Sequence, residues 1–199
     1  IDQFGWFGSD TKNLSLAQFF GLLLVIIGML LATGMISKQE ELELEEETPS
    51  KLPWQILGII AGMATSAQAT INGHLGIVLH SSIHAAAVSF TLGAIVLILI
   101  VLFTRVPLKN IAAATHAGLQ YWWIWLGGLL GAFYVFGSAW LAPIIGTGQL
   151  VILALFGQLA LSVFIDQFGL LESIKKKITT PRLFGLLVMF VGVVILRVL

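Results

Sequence analysis

Charged residues and cysteine are what this sequence has least of. Of its 199 residues only 10% are charged and none is cysteine, whereas 58% are hydrophobic. Soluble domains carry about 25% charged residues, which they need to cover their outer surface. The scarcity of charge therefore excludes a soluble globular domain and predicts an all-α polytopic membrane protein.

The missing residue types also exclude several kinds of site. Without cysteine there is neither a disulfide framework nor a thiolate metal site. Ten basic and ten acidic residues cancel, which leaves no basic surface for nucleic acid. His80 and His84 are four apart, a spacing compatible with a metal, but no carboxylate accompanies them. Since catalytic motifs are also absent, we expect no metal, no other cofactor and no enzyme activity.

Six apolar runs are long enough to cross a bilayer as helices, which takes about 20 residues each. A strongly acidic segment, 37–53, follows the first run, and a solvated cytoplasmic linker is favoured there over an acidic interaction tail. The sequence thus predicts a transmembrane helical bundle with six spans at 16–35, 54–71, 85–103, 122–141, 148–165 and 183–199.

The sequence contains an internal repeat. The segment IDQFG at 1–5 returns 164 positions later at 165–169, and at the same offset FGLL at 20–23 returns at 184–187 and Gly28 matches Gly192. Apolar composition alone does not supply a run that mixes charged, polar and aromatic residues in a fixed order.

The repeat predicts how the chain is divided. We expect 1–36 to be the last span of a first five-span copy and 54–199 to be a complete second copy. The chain would then be a fragment of a ten-helix protein. Because five is odd, consecutive copies would be inverted in the membrane. The basic residues agree, since Lys12 and Arg197 fall on one face and eight on the other, cytoplasmic face: Lys38, Lys51, Arg105, Lys109, Lys175, Lys176, Lys177 and Arg182.

Polar and small residues in the second run predict either helix packing or solute contact. Gly58, Gly62 and Ser66 are spaced by four, which favours close packing of another helix. Gln68 and Asn72 share a helix face and must lie against other helices or a wet cavity. We favour the cavity for these two amides, and helix–helix hydrogen bonding is the alternative.

The fourth run contains a packing surface and an aromatic pair. Gly127 and Gly131 permit close helix packing. Tyr134 and Trp140 lie beyond the tryptophans at the start of this span, which suit the aromatic belt at the membrane interface, and are candidates for a cavity wall.

After the fourth run, three residues interrupt the apolar sequence: Pro143, Gly146 and Gly148. A short turn between helices is favoured here, and a flexible gate is the functional alternative.

The fifth run supplies further candidates. Gln158 lies about 15 Å along the helix from Gly148, near mid-membrane, and is the strongest candidate for solute contact. Gln149 is a second candidate. Asp166 is a candidate for ion coupling, although a helix-end ion pair is favoured because the position is near water.

Several of these segments together carry a family resemblance. The chain resembles the YdcZ-like family of the drug/metabolite transporter superfamily over 54–199, and 1–35 resembles the end of another copy. The matching segments are AAAVSFTLGAIVL at 85–97, WWIWLGGLLGAFYVFG at 122–137, LAPIIGTGQ at 141–149, FGQLALSVFIDQFG at 156–169 and RLFGLLVMFVGVV at 182–194.

The resemblance implies an exporter of the bacterial inner membrane. Its five-span modules would pair as antiparallel halves, with alternating access around a central cavity. The implied partners are a small metabolite or drug-like solute, membrane lipid, and either the missing first copy or a second chain as an antiparallel dimer. The alternative is a non-transporting membrane scaffold or small subunit, in which the polar residues only hold helices together.

The inverted topology predicts a labelling result. Because the chain has no native cysteine, Lys12→Cys and Lys176→Cys each create a unique site at repeat-related positions. Membrane-impermeant maleimide should label the first only from outside intact cells and the second only in inverted vesicles. Labelling of both from the same side would contradict the inversion.

Overall fold

The structure is a computed structural model that describes residues 1–9, 11, 15–34, 52–105, 126–173, 175 and 178–198. Within these ranges the protein is all-helical and has no strand, as the sequence predicts. Two short 3₁₀ turns, Trp6–Gly8 and Leu170–Glu172, accompany six long helices: α1 (Leu16–Ala32), α2 (Leu52–Val78), α3 (Ser82–Thr104), α4 (Leu126–Ile145), α5 (Thr147–Phe168) and α6 (Thr180–Val198).

Four of the helices, α3 to α6, are long and apolar enough to cross a membrane. α1 is shorter, with 17 residues. α2 has 27 residues but includes polar ones such as Gln68 and Asn72. Large apolar side chains are exposed along all six helices, which is the surface expected of a bundle that faces lipid. The membrane bundle predicted from the sequence is confirmed.

The helix ends differ from the predicted ones mainly in α2. The second apolar run was expected to end at 71, but α2 continues to Val78. His74 therefore lies inside a helix rather than in a loop. The turn to α3 is short, and the Ser81 side chain caps α3 by accepting a hydrogen bond from the His84 N–H at 3.3 Å. The predicted linker up to residue 51 and the start of the fourth run at 122–125 lie outside the described residues.

The most extensive helix–helix contact joins α1 to α6. A Cβ atom on Gly28 would lie 2.5 Å from the Met189 nitrogen and 2.7 Å from the Gly185 carbonyl oxygen. A Cβ atom on Gly192 would lie 2.8 Å from the Gly21 carbonyl oxygen. The two backbones thus touch directly, as glycine permits in membranes. Because position 21 meets 192 and 28 meets 185, the helices are antiparallel.

These glycines are repeat-related. Gly21 corresponds to Gly185, and Gly28 corresponds to Gly192, both at the offset of 164 that separates residues 1 and 165. When each glycine is replaced by its repeat counterpart, the contact between positions 21 and 192 becomes the contact between positions 185 and 28. This reciprocity is the signature of an interface with local two-fold symmetry.

The repeated IDQFG motif also has a repeated backbone conformation. Gly5 and Gly169 have φ values of 65° and 63°, and each precedes a 3₁₀ turn. Inside those turns Phe7 and Leu171 have φ values of 59° and 56°, which few non-glycine residues adopt. The sequence repeat is therefore a structural repeat as well.

The remaining helices form a second packed group. In α2, Gly73 lies against Ala142 and Pro143 of α4, where an added Cβ would be 3.1 Å from Pro143 Cδ. Ala69, Ala142 and Leu150 form a small buried cluster between α2, α4 and α5. This packing places the junction of α4 and α5 beside the second half of α2.

The α1–α6 contact predicts a stability difference between two identical substitutions. Gly28→Ala should lower the free energy of unfolding by about 1–3 kcal/mol, because the new methyl group collides with backbone. Among the described residues, the new methyl group of Gly58→Ala meets nothing within 4 Å. This change should therefore leave the stability of the chain unchanged or raise it slightly, since alanine favours helix. Thermal unfolding in detergent micelles measures both; equal midpoints would contradict the contact.

Candidate functional site

A cavity of about 470 Å³ lies between the start of the chain and helices α1, α2, α5 and α6. We call it the Gln149 cavity. Apolar side chains such as Leu22, Val151 and Ile152 form much of its wall. Its polar lining residues are Asp2, Gln3, Gln18, Ser66, Thr147 and Gln149.

The sharp junction between α4 and α5 places α5 at the cavity. Gly146 alone separates the two helices, with φ 92° and ψ 150°. The first turn of α5 is held from two sides. The Gly148 N–H donates to Asp2 Oδ2 at 2.8 Å, and the buried hydroxyls of Thr70 and Thr147 are 2.9 Å apart. A carboxylate is well placed there, because a helix N-terminus carries partial positive charge.

Two acceptors at the cavity have no donor. Gln149 Nε2 donates to the Leu196 carbonyl at 2.9 Å, which fixes the orientation of the amide. Gln149 Oε1 and Asp2 Oδ1 are buried, and neither has a hydrogen-bond partner among the described residues. Buried polar atoms are nearly always paired in proteins. Both atoms belong to residues that line the cavity, so they are candidate acceptors for an occupant that carries donors.

Asp166 lies at the opposite end of α5 in an ion pair. Arg182 Nη2 is 3.0 Å from Asp166 Oδ2, and both side chains are largely buried, at 24% and 22% exposed. Arg182 Nε also donates to the Ala32 carbonyl at 3.2 Å, which joins the end of α1 to the start of α6. The helix-end pair favoured from the sequence is thus present, and a role of Asp166 in ion coupling stays a prediction.

The other predicted solute contacts lie away from the Gln149 cavity. The amide nitrogens of Gln68 and Asn72 each donate to Ser89 Oγ at 3.2 Å, so both amides join α2 to α3. Tyr134 and Trp140 are 39% and 55% exposed. Gln158 is also exposed. Their predicted solute contact remains untested, and of the predicted contacts only Gln149 lines this cavity.

Of the predicted hinge and packing residues, only some line the Gln149 cavity. Gly148 lines the cavity, Gly146 forms the break between helices, and Pro143 packs on Gly73. The turn is therefore present, and the gate remains a prediction. Among the described residues, added Cβ atoms at Gly58, Gly62 and Gly127 would meet nothing within 4 Å, and one at Gly131 would be 3.8 Å from Phe90 Cζ. Ser66 lines the cavity, and its packing role stays a prediction.

Sequence reasoning missed Asp2 and Gln18 as cavity residues and the four glycines between α1 and α6. The internal repeat could have indicated some of these residues, because it pairs Gly28 with Gly192 and Asp2 with Asp166. Within the described ranges no cluster of three His, Asp or Glu side chains could hold a metal ion. His116 lies outside those ranges.

The fold and the cavity define a class of protein: a helical integral membrane protein with a cavity of small-molecule size. Residues 1–31 and 53–195 match the family described as "Putative inner membrane exporter, YdcZ". The chain belongs to this family, and is a multi-pass membrane transporter of the bacterial inner membrane. The searches of curated proteins and of solved structures found no match.

The ion pair at Arg182 predicts a coupling energy. Arg182→Gln should lower the free energy of unfolding by about 1–3 kcal/mol, because it leaves the buried Asp166 oxygen and the Ala32 carbonyl without a donor. Asp166→Asn combined with Arg182→Gln should cost less than the sum of the two single changes. Thermal unfolding of the four proteins in detergent measures this; strict additivity would contradict the pair.

Proposed function

We propose that this chain is part of a secondary exporter that moves a small metabolite or drug-like solute by alternating access between two inverted copies of a five-span module. The reciprocal contact of α1 with α6 is the observation that carries the proposal. In transporters built from inverted repeats, one repeat rocks against the other around a shared site.

Three features support inversion of the copies. α1 and α6 are the last helices of their respective copies, and they pack antiparallel at repeat-related glycines. The family match covers 1–31 and 53–195, so it leaves out most of the acidic segment that separates the proposed copies. The excess of Lys and Arg on one face agrees with opposite orientations of the two equivalent loops.

The location of the Gln149 cavity supports binding on the extracytoplasmic side. Its wall on α5 reaches from Thr147 to Ile152, about 8 Å along the helix at 1.5 Å per residue. Arg182 and Lys175 lie at the other ends of α5 and α6, on the basic and hence cytoplasmic face. The cavity is therefore shallower than the mid-membrane site expected at Gln158, as in an outward-facing state.

The open helix faces support a partner of the same kind. The first half of α2, the second half of α3 and the start of α4 are exposed. We propose that the remaining helices of a first copy, or a second chain in antiparallel orientation, cover them. Gly58 and Gly62 would then regain the packing role that their spacing predicts.

A membrane scaffold is the second candidate. The hydrogen bonds from Gln68 and Asn72 to Ser89 favour it, because these amides act as helix contacts. The Gln149 cavity, however, is not needed by a scaffold, and its unpaired acceptors would reduce stability without benefit.

The exporter proposal predicts a flux defect in the whole protein reconstituted in vesicles. With a panel of labelled amines, sugars and amino acids, Gln149→Leu should reduce flux at least about tenfold, because the ligand loses a buried acceptor and its orientation. Gln167→Leu is the matched control and should have no effect on flux, because Gln167 is exposed at the opposite end of α5, away from the cavity and from the faces that a partner would cover. Gln158→Leu tests the sequence prediction directly.

Two results would contradict the exporter. Absence of flux for the whole panel would favour the scaffold. Equal flux in the parent and Gln149→Leu proteins would remove the Gln149 cavity from the pathway.

A further inference from the structure

The two repeat-related aspartates have different surroundings. Asp166 is neutralised by Arg182. The position of Arg182 corresponds to Gln18 in the first part of the repeat, at the same offset of 164. The counterpart of the guanidinium is thus a neutral amide that lines the same cavity as Asp2, and Asp2 has no ion pair within the described residues.

We propose that the Gln149 cavity binds an organic cation with N–H donors, an ammonium or amidinium, with Asp2 as its counter-charge and Gln149 Oε1 as its second acceptor. This inference rests on the proposed function, because it takes the ligand of this cavity to be the exported solute.

The first argument is hydrogen bonding. Asp2 Oδ2 already accepts from Gly148, whereas Oδ1 accepts from no described residue. Gln149 Nε2 donates to the Leu196 carbonyl, whereas Gln149 Oε1 has no hydrogen-bond partner among the described residues. Both residues line the same cavity, and a modest rotation about the soft χ2 angle of Asp2 presents its oxygen to an occupant. The ligand must therefore supply at least two donors.

The second argument is charge. A carboxylate within a membrane bundle requires a counter-charge, because an isolated ion is costly to bury. Near Asp166 the protein supplies it with Arg182. Near Asp2 the start of α5 supplies amide dipoles, and His74 lines a small pocket together with Asp2 but makes no ion pair with it among the described residues. A cationic ligand would supply the counter-charge for Asp2, as Arg182 supplies it for Asp166.

The third argument is shape. The cavity volume lies within the range typical of small-molecule sites. Leu22, Val151 and Ile152 form an apolar wall that suits a hydrocarbon or aromatic body beside the charged group. An ammonium has three donors and no acceptor, which matches a site whose unpaired atoms are both acceptors. A quaternary ammonium carries charge without donors, and an alcohol carries a donor without charge.

Three probes separate these properties: benzylammonium, benzyltrimethylammonium and benzyl alcohol. Equilibrium dialysis against the full chain in detergent micelles should show benzylammonium bound at least about tenfold more tightly than the other two, because a charge-assisted hydrogen bond exceeds either contribution alone. Asp2→Asn should weaken benzylammonium binding at least about tenfold. Asp166→Asn, the same change at the repeat-related position, should leave it unchanged.

A second pair of variants keeps Asp2 in place. Gln18→Arg installs the counterpart of Arg182 and should abolish benzylammonium binding by occupying the carboxylate. Gln18→Leu loses the same capping interaction with Ser15 but adds no charge, so the difference in binding between the two variants measures the effect of the added charge alone. This pair of variants tests the cation site even if Asp2→Asn fails to fold because α5 loses its cap.

The proposal is overturned if the parent chain does not bind benzylammonium, if it binds the three probes equally, or if Gln18→Arg binds as well as Gln18→Leu. These measurements need no gradient. Failure of flux with intact amine binding would therefore refute the exporter alone, whereas flux of neutral solutes without amine binding would refute the cation site alone.

Discussion

Direct backbone contact between α1 and α6 is the constraint on which the rest of this structure depends. In lipid there is no hydrophobic force between helices, so association depends on close packing and on polar contacts. Gly28, Gly185 and Gly192 meet the opposite backbone closely enough to exclude any side chain, and a Cβ atom on Gly21 would lie 3.1 Å from the Gly192 carbonyl oxygen. That contact brings Leu22 to the Gln149 cavity and places the Ala32 carbonyl within reach of Arg182.

The same motif serves two purposes because one neighbouring residue differs. Asp2 and Asp166 each precede a glycine of positive φ and a 3₁₀ turn. Arg182 converts Asp166 into a structural tie between α5, α6 and α1. Gln18 leaves Asp2 free of such a tie, and its carboxylate instead caps the start of α5. A repeat thus supplies the geometry, and one substitution within it separates a stabilising site from a candidate binding site.

Hydropathy and the repeat predicted the all-helical bundle and most helix positions, because lipid forces every backbone group into helices. They could not predict which polar side chains meet. Gln68 and Asn72 satisfy the rule for a shared face, yet their partner is Ser89 on the next helix. Likewise Gly58 and Gly62 resemble Gly21 and Gly28 in sequence. Only the arrangement of neighbours distinguishes a glycine that packs from one that faces open space.

The position of Asp2 suggests how ligand binding would act on the helices. Its carboxylate accepts from the Gly148 N–H at the start of α5, one residue before Gln149 and two residues after the break at Gly146. A cation drawn to the same carboxylate competes for that charge and weakens the tie to α5. Since a ligand shifts a conformational equilibrium only through contacts that differ between states, this shared carboxylate is the contact through which an occupied cavity would loosen α5 from the start of the chain.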